Sequence, residues 1–192
     1  YVEALRHDPT LALAYHNLAA SLSSGESVTL HDGRRLNERE LYVEALRHDP
    51  ACALTYLSLA ASLSSGESVT LHDGRRLSKR ELYVEALRLD PADADAYTDL
   101  AALLSSGEST TLHDGRRLSK RELYAEALRL DPTLAQAYLS LAALLSSGES
   151  TTLHDGRRLS KRELYVEALR HDPALALTYL SLAASLSSGE ST

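Results

Sequence analysis

Five prolines, Pro9, Pro50, Pro91, Pro132 and Pro173, stand 41 residues apart, and Tyr1, Tyr42, Tyr83, Tyr124 and Tyr165 keep the same step. Repetition at a fixed length restricts a chain to architectures in which one supersecondary unit buries its apolar face against the next copy of itself. Four complete periods, 9–49, 50–90, 91–131 and 132–172, lie between a partial repeat at the N-terminus and another at 173–192. The expectation is therefore a single tandem-repeat array over 1–192. The vocabulary agrees with copying: ten Tyr are the only aromatics, with no Trp, Phe or Met.

Within one period, Ala94, Tyr97, Leu100, Ala101 and Leu104 fall at helical spacing and predict helix A over 91–105. Pro91 is expected in its first turn and Gly107 at a left-handed C-terminal cap. Helix B is announced by a capping box, Ser78 with Glu81, repeated by Ser119 with Glu122, Ser160 with Glu163, and Asn37 with Glu40. It buries Leu82, Tyr83, Ala86 and Leu87 and runs to about Arg88. Residues 66–77 have no helical period but carry β-favouring stretches on either side of Asp73-Gly74, which predicts a turn or miniature hairpin.

Two segments, Ala96-Tyr97-Thr98-Asp99-Leu100-Ala101 and Tyr83-Val84-Glu85-Ala86-Leu87-Arg88-Leu89-Asp90-Pro91, resemble the tetratricopeptide-repeat signature. Tyr97 stands at the family's Trp, Leu100 at its Leu, Ala101 at its Gly, Tyr83 at the second-helix aromatic and Pro91 at the closing Pro. The family unit is about 34 residues, so the additional residues lie between the helices, and Lys79 occupies the place of an early small residue in helix B. The expected fold class is all-α, an α-solenoid of stacked antiparallel helix pairs with a short turn or mini-hairpin in each inter-helix loop. The resemblance further implies a right-handed superhelix whose A helices line a concave surface that holds a protein or peptide.

Copies within one chain can be compared with each other, because side chains needed for stacking must recur and those facing a ligand need not. The variation gathers on helix A, in the series Leu13, Leu54, Asp95, Gln136, Leu177 and the series His16, Leu57, Thr98, Leu139, Leu180. Both fall where the resemblance places groove-facing side chains. Residues 83–123 hold eight acidic and five basic side chains against five of each in 42–82, and Asp95 and Asp99, four apart, share a helix face suited to a Lys or Arg of a partner.

Other partners and activities are set aside on chemical grounds. A formal net charge of -7 supplies no cationic face for nucleic-acid phosphates. No apolar run approaches membrane-spanning length and no signal peptide is visible. The single cysteine, Cys52, allows no disulfide within the chain and points to the cytoplasm. His72-Asp73 and its copies lack the converging ligands of a metal site and the third group of a triad, so no catalytic residue, metal or cofactor is expected. Arg75, Arg76 and Asp73 are expected to bridge neighbouring loops, and Arg75-Arg76-Leu77-Ser78 resembles a basophilic kinase site.

The expected function is a protein- or peptide-binding scaffold, not an enzyme. The alternative is a self-associating structural array. Tyr1 begins inside a helix B and Thr192 stops inside an inter-helix loop, without polar capping helices, so head-to-tail association is the corresponding expectation.

Overall fold

The computed structural model describes residues 1–23 and 25–187. They fall into two compact units, Tyr1–Pro91 and Ala92–Thr192. The first carries α1 (Val2–His7), α2 (Ala12–Ala20), β1 (Ser27–Thr29), β2 (Arg35–Asn37), α3 (Glu38–His48), α4 (Ala53–Ser62), β3 (Ser68–Thr70), β4 (Arg76–Ser78) and α5 (Lys79–Leu89). The second carries α6 (Ala94–Leu103), β5 (Ser109–Thr111), β6 (Arg117–Ser119), α7 (Lys120–Leu130), α8 (Ala135–Ala143), β7 (Ser150–Thr152), β8 (Arg158–Ser160), α9 (Lys161–His171) and α10 (Ala176–Ser187). The repeated unit is thus helix A, hairpin, helix B, present four times.

The all-α class is corrected by these hairpins. Strand makes up 13% of the chain beside 52% helix, in four separate two-stranded antiparallel sheets. The cause lies in the turn. Leu71 accepts at its carbonyl from the Gly74 amide (3.0 Å) and donates to the Arg75 carbonyl (2.8 Å), with Gly74 alone at positive φ (84°). That geometry is a three-residue loop closed by a glycine bulge, so Asp73 keeps an ordinary φ and only the glycine takes the left-handed one. The bulge sets the register Thr70↔Arg76, Val69↔Leu77, Ser68↔Ser78. A hairpin this short is not stable alone in water, and it is held by its own helices.

The clamp is one arginine per repeat. Arg116 donates from Nε to Oδ2 of Asp114 (2.6 Å), from Nη1 to Oε1 of Glu126 on α7 (3.1 Å) and from Nη2 to the Tyr97 hydroxyl on α6 (3.3 Å). Arg34, Arg75 and Arg157 make the corresponding bonds to Tyr15, Tyr56 and Tyr138. The second arginine, Arg117, spans its hairpin to Ser109 (2.7 Å). Among the described residues, the expected bridges between neighbouring loops are replaced by ties within one repeat. Ties between consecutive repeats come instead from helix B: Arg39 reaches the Ser62 carbonyl (2.7 Å) and Glu67 (2.8 Å), and Arg121 reaches Glu149 (2.6 Å).

All four capping boxes form as the sequence pattern dictates. Lys79, Lys120 and Lys161, at the register where the resemblance led one to expect a small side chain, donate to the carbonyls of Leu63, Leu104 and Leu145 just past helix A. They satisfy acceptors that the helix end leaves open. Two helix A boundaries differ from expectation. Pro50 precedes α4 in a turn closed by the Asp49 carboxylate, which accepts from the Ala51 amide (3.0 Å), so the helix begins after the proline's turn. Gly66 lies in a separate turn closed by the Glu67 amide on the Ser64 carbonyl (3.1 Å), beyond the helix end at Leu63.

Each core is built from the recurring residues. In the second unit Tyr97, Leu100, Ala101 and Leu104 from helix A meet Leu123, Tyr124, Ala127 and Leu128 from helix B, all buried. Among the described residues no helix is long and apolar enough to cross a membrane.

Candidate functional site

Helix A turns its Tyr, Leu and Ala ridge onto helix B, and this fixes what remains outside. The first variable register sits one residue before the buried Ala or Thr and two before the buried Tyr, on the solvent side of the first turn. Leu13 is 62% exposed and Leu54 57% exposed in the first unit. Asp95 and Gln136 are exposed at the same register in the second. The side chain of Leu177 lies outside the described residues.

The second variable register is a different environment. His16 is only 7% exposed, its Nδ1 3.0 Å from Oγ1 of Thr55 on the next helix A. Leu57, Thr98 and Leu139 are half-buried, and Leu180 is exposed. At His16 this position borders the next helix A, through the contact with Thr55. His16 is accordingly a packing residue in this structure, and copy-to-copy variation here follows the neighbour as much as any ligand.

Asp99 is exposed one turn after Asp95, while Gln136 donates from Nε2 to the Ser140 hydroxyl (3.2 Å) across the same one-turn spacing in α8. Asp99 also reaches helix B electrostatically. Burial raises the pKa of the Tyr124 phenol above its ordinary value, and the Asp99 charge adds to that shift while a hydrogen bond with Ser140 opposes it. At the first variable register α6 and α8 are therefore acidic and polar, and α2 and α4 apolar.

Two positions were legible but passed over. Leu11, exposed beside Leu13, belongs to a register that reads Cys52, Asp93 and Leu134 in later copies, and Asn17 belongs to the register of Asp99. Both vary between copies as much as the residues singled out.

The hairpin tips offer no comparable constellation. Asp73 is held below the ordinary carboxylate range first by the Arg75 amide and then by its guanidinium, and His72 stands exposed beside it with no third group. Among the described residues no group of three or more His, Cys, Asp or Glu is placed to hold a metal ion. The kinase-like segment is occupied: Ser78 donates to Oε2 of Glu81 (2.7 Å) as the helix cap, and Arg76 is bound to Ser68 (2.6 Å). A cleft of about 280 Å³ in the first unit is lined by Leu36, Val43, Glu44, Val69 and Thr70, away from the exposed helix A face.

No family model and no curated protein matches the chain. The functional assignment accordingly rests on the helix A face.

Proposed function

We propose that the chain is a tetratricopeptide-repeat-like scaffold that binds protein or peptide across the exposed first turns of its A helices. The observation that carries the proposal is a division within each helix A. Its Tyr, Leu and Ala ridge recurs in every copy, whereas the exposed register reads Leu13, Leu54, Asp95 and Gln136. A repeat needs the first set in order to pack; the second is free to be fitted to a partner. Leu13 and Leu54, apolar and more than half exposed in neighbouring repeats, are surface that an apolar segment of a partner would cover. The two units have different preferences. The first takes an apolar segment of its partner, and the second takes a basic one through Asp95 and Asp99.

Catalysis has no part in the proposal, and a chain with the lone thiol of Cys52 suits a reducing compartment. Capture from a peptide library tests the assignment. The expected result is that basic peptides retained by the wild type bind at least about tenfold more weakly to Asp95→Lys/Asp99→Lys, with helical content unchanged. Equal capture by both proteins would retire the acidic site.

A second reading, self-association, is favoured by one feature. On α9 and α10, Val166, Tyr179 and Leu180 are exposed, although Tyr138, the counterpart of Tyr179, is 1% exposed. A further copy of the unit would cover them, and the self-association reading has a second chain supply it. Sedimentation over a wide concentration range should then show mass rising with concentration, and a constant monomer mass would exclude it.

A further inference from the structure

His16 stands out among the copies because it is the one titratable group in a register otherwise filled by Leu57, Thr98, Leu139 and Leu180. It joins three helices of the first unit. Its ring lies 5.4 Å from that of Tyr42 on α3, tilted by 59°, and its Nδ1 is 3.0 Å from Oγ1 of Thr55 on α4. The Thr55 hydroxyl in turn donates to Sγ of Cys52 (3.1 Å). Whichever tautomer the neutral imidazole takes, Nδ1 is the ring nitrogen in this contact, and a second proton gives the ring a positive charge with an N–H at each nitrogen.

The surroundings offer that second proton no compensation. From α3 the ring meets the Tyr42 phenol, with Glu38 acting on Tyr42; from α4 it meets Thr55 and Cys52. The charged groups of α1, Glu3, Arg6 and His7, are exposed and paired with each other. No acceptor among the described residues takes a proton from Nε2. Burial holds the imidazole below its ordinary value of 6.5.

We propose that the enclosed His16 ring, held against α3 and α4, is a pH-sensitive latch, which releases α1 and α2 from the rest of their unit when the imidazole takes up a proton. The sign follows from linkage. A histidine depressed in the folded state stabilises fully above its unfolded value, and the contribution is lost as pH falls below it. The latch is closed above the ordinary histidine value and opens as pH falls below it. Only α1 and α2 depend on it, because the later copies carry no histidine at this register.

The direct test is amide hydrogen exchange of the full chain at pH 7.5 and pH 5.2, corrected for intrinsic rates. Protection in α1 and α2 should drop about fivefold or more at the lower pH relative to α7 and α8. The control variant is His16→Leu/Thr55→Ala, which installs residues that other copies already carry at these registers, Leu57 and Leu139 and also Ala96 and Ala137. Its relative protection should not change with pH. An equal loss in wild type and variant, or no loss in the wild type, would overturn the latch. Proton NMR titration of the His16 ring gives an independent answer: titration at or above the ordinary histidine value would also overturn it.

Discussion

Replacing Tyr138 with alanine should destabilise the second unit by about 3–5 kcal/mol, the range for deleting a buried aromatic side chain. The residue is fully enclosed, stacks on the His171 ring at 5.7 Å with an interplanar angle of 9°, and accepts from Nη2 of Arg157 (3.4 Å). Three losses therefore coincide: apolar burial, a stacked pair and the clamp between hairpin and helix A. Tyr138→Phe removes the hydroxyl alone and should cost about 0.5–1.5 kcal/mol. The sequence supplies its own control in Tyr179, the same residue at the same register on α10, which is 52% exposed. Tyr179→Ala should change stability by no more than about 1 kcal/mol. Chemical denaturation monitored by circular dichroism separates the cases, and equal costs at both sites would show that the ring's burial is not what stabilises the unit.

Removing Glu126 should cost about 1–3 kcal/mol, more than removing an exposed carboxylate of the hairpin it holds. Its side chain is largely covered and accepts from Arg129 (2.9 Å) and Arg116 (3.1 Å), so Glu126→Ala would leave both guanidinium groups short of a partner. The pH dependence has a definite sign. Arg129 first, and Arg116 after it, hold Glu126 below its ordinary value of 4.5 against the opposing effect of burial. A carboxylate depressed in the folded state contributes above its unfolded value and ceases to contribute as pH falls through its folded one. Wild-type stability should thus decline on acidification below about 4.5, and the decline should be smaller in Glu126→Ala. Identical acid profiles would remove Glu126 from the clamp.

These effects show which parts of the molecule were legible in the sequence. Helix B was read closely, because Ser78 and Glu81 cap it locally and Leu82, Tyr83, Ala86 and Leu87 define one face; both signals act within a few residues. Helix A was read less well at its ends. The Asp49 carboxylate closes a turn around Pro50, and a proline in that turn cannot be told by spacing alone from one in a first helical turn. The all-α class failed for a related reason. The Asp73-Gly74 turn was legible, but that its flanks form strands was not, because the hairpins depend on Gly74 taking a left-handed φ and on Arg75 reaching Tyr56 and Glu85, contacts between residues 10 and 19 apart.

The exposed face was legible in part. Leu13, Leu54, Asp95 and Gln136 vary and are open, so variation and exposure agree. His16 varies for another reason, since its ring is hydrogen-bonded to Thr55 on the following helix A. Variation between copies cannot separate a residue fitted to a ligand from one fitted to its neighbour; a buried hydrogen bond can.

Docking of partners on the exposed first turns of helix A can be mapped by backbone amide shifts when a captured peptide is added to the labelled protein. The largest perturbations should fall on Leu13, Leu54, Asp95, Asp99 and Gln136, with the hairpin tips little changed. Perturbations confined to the tips around His72 and His113, with helix A silent, would contradict it.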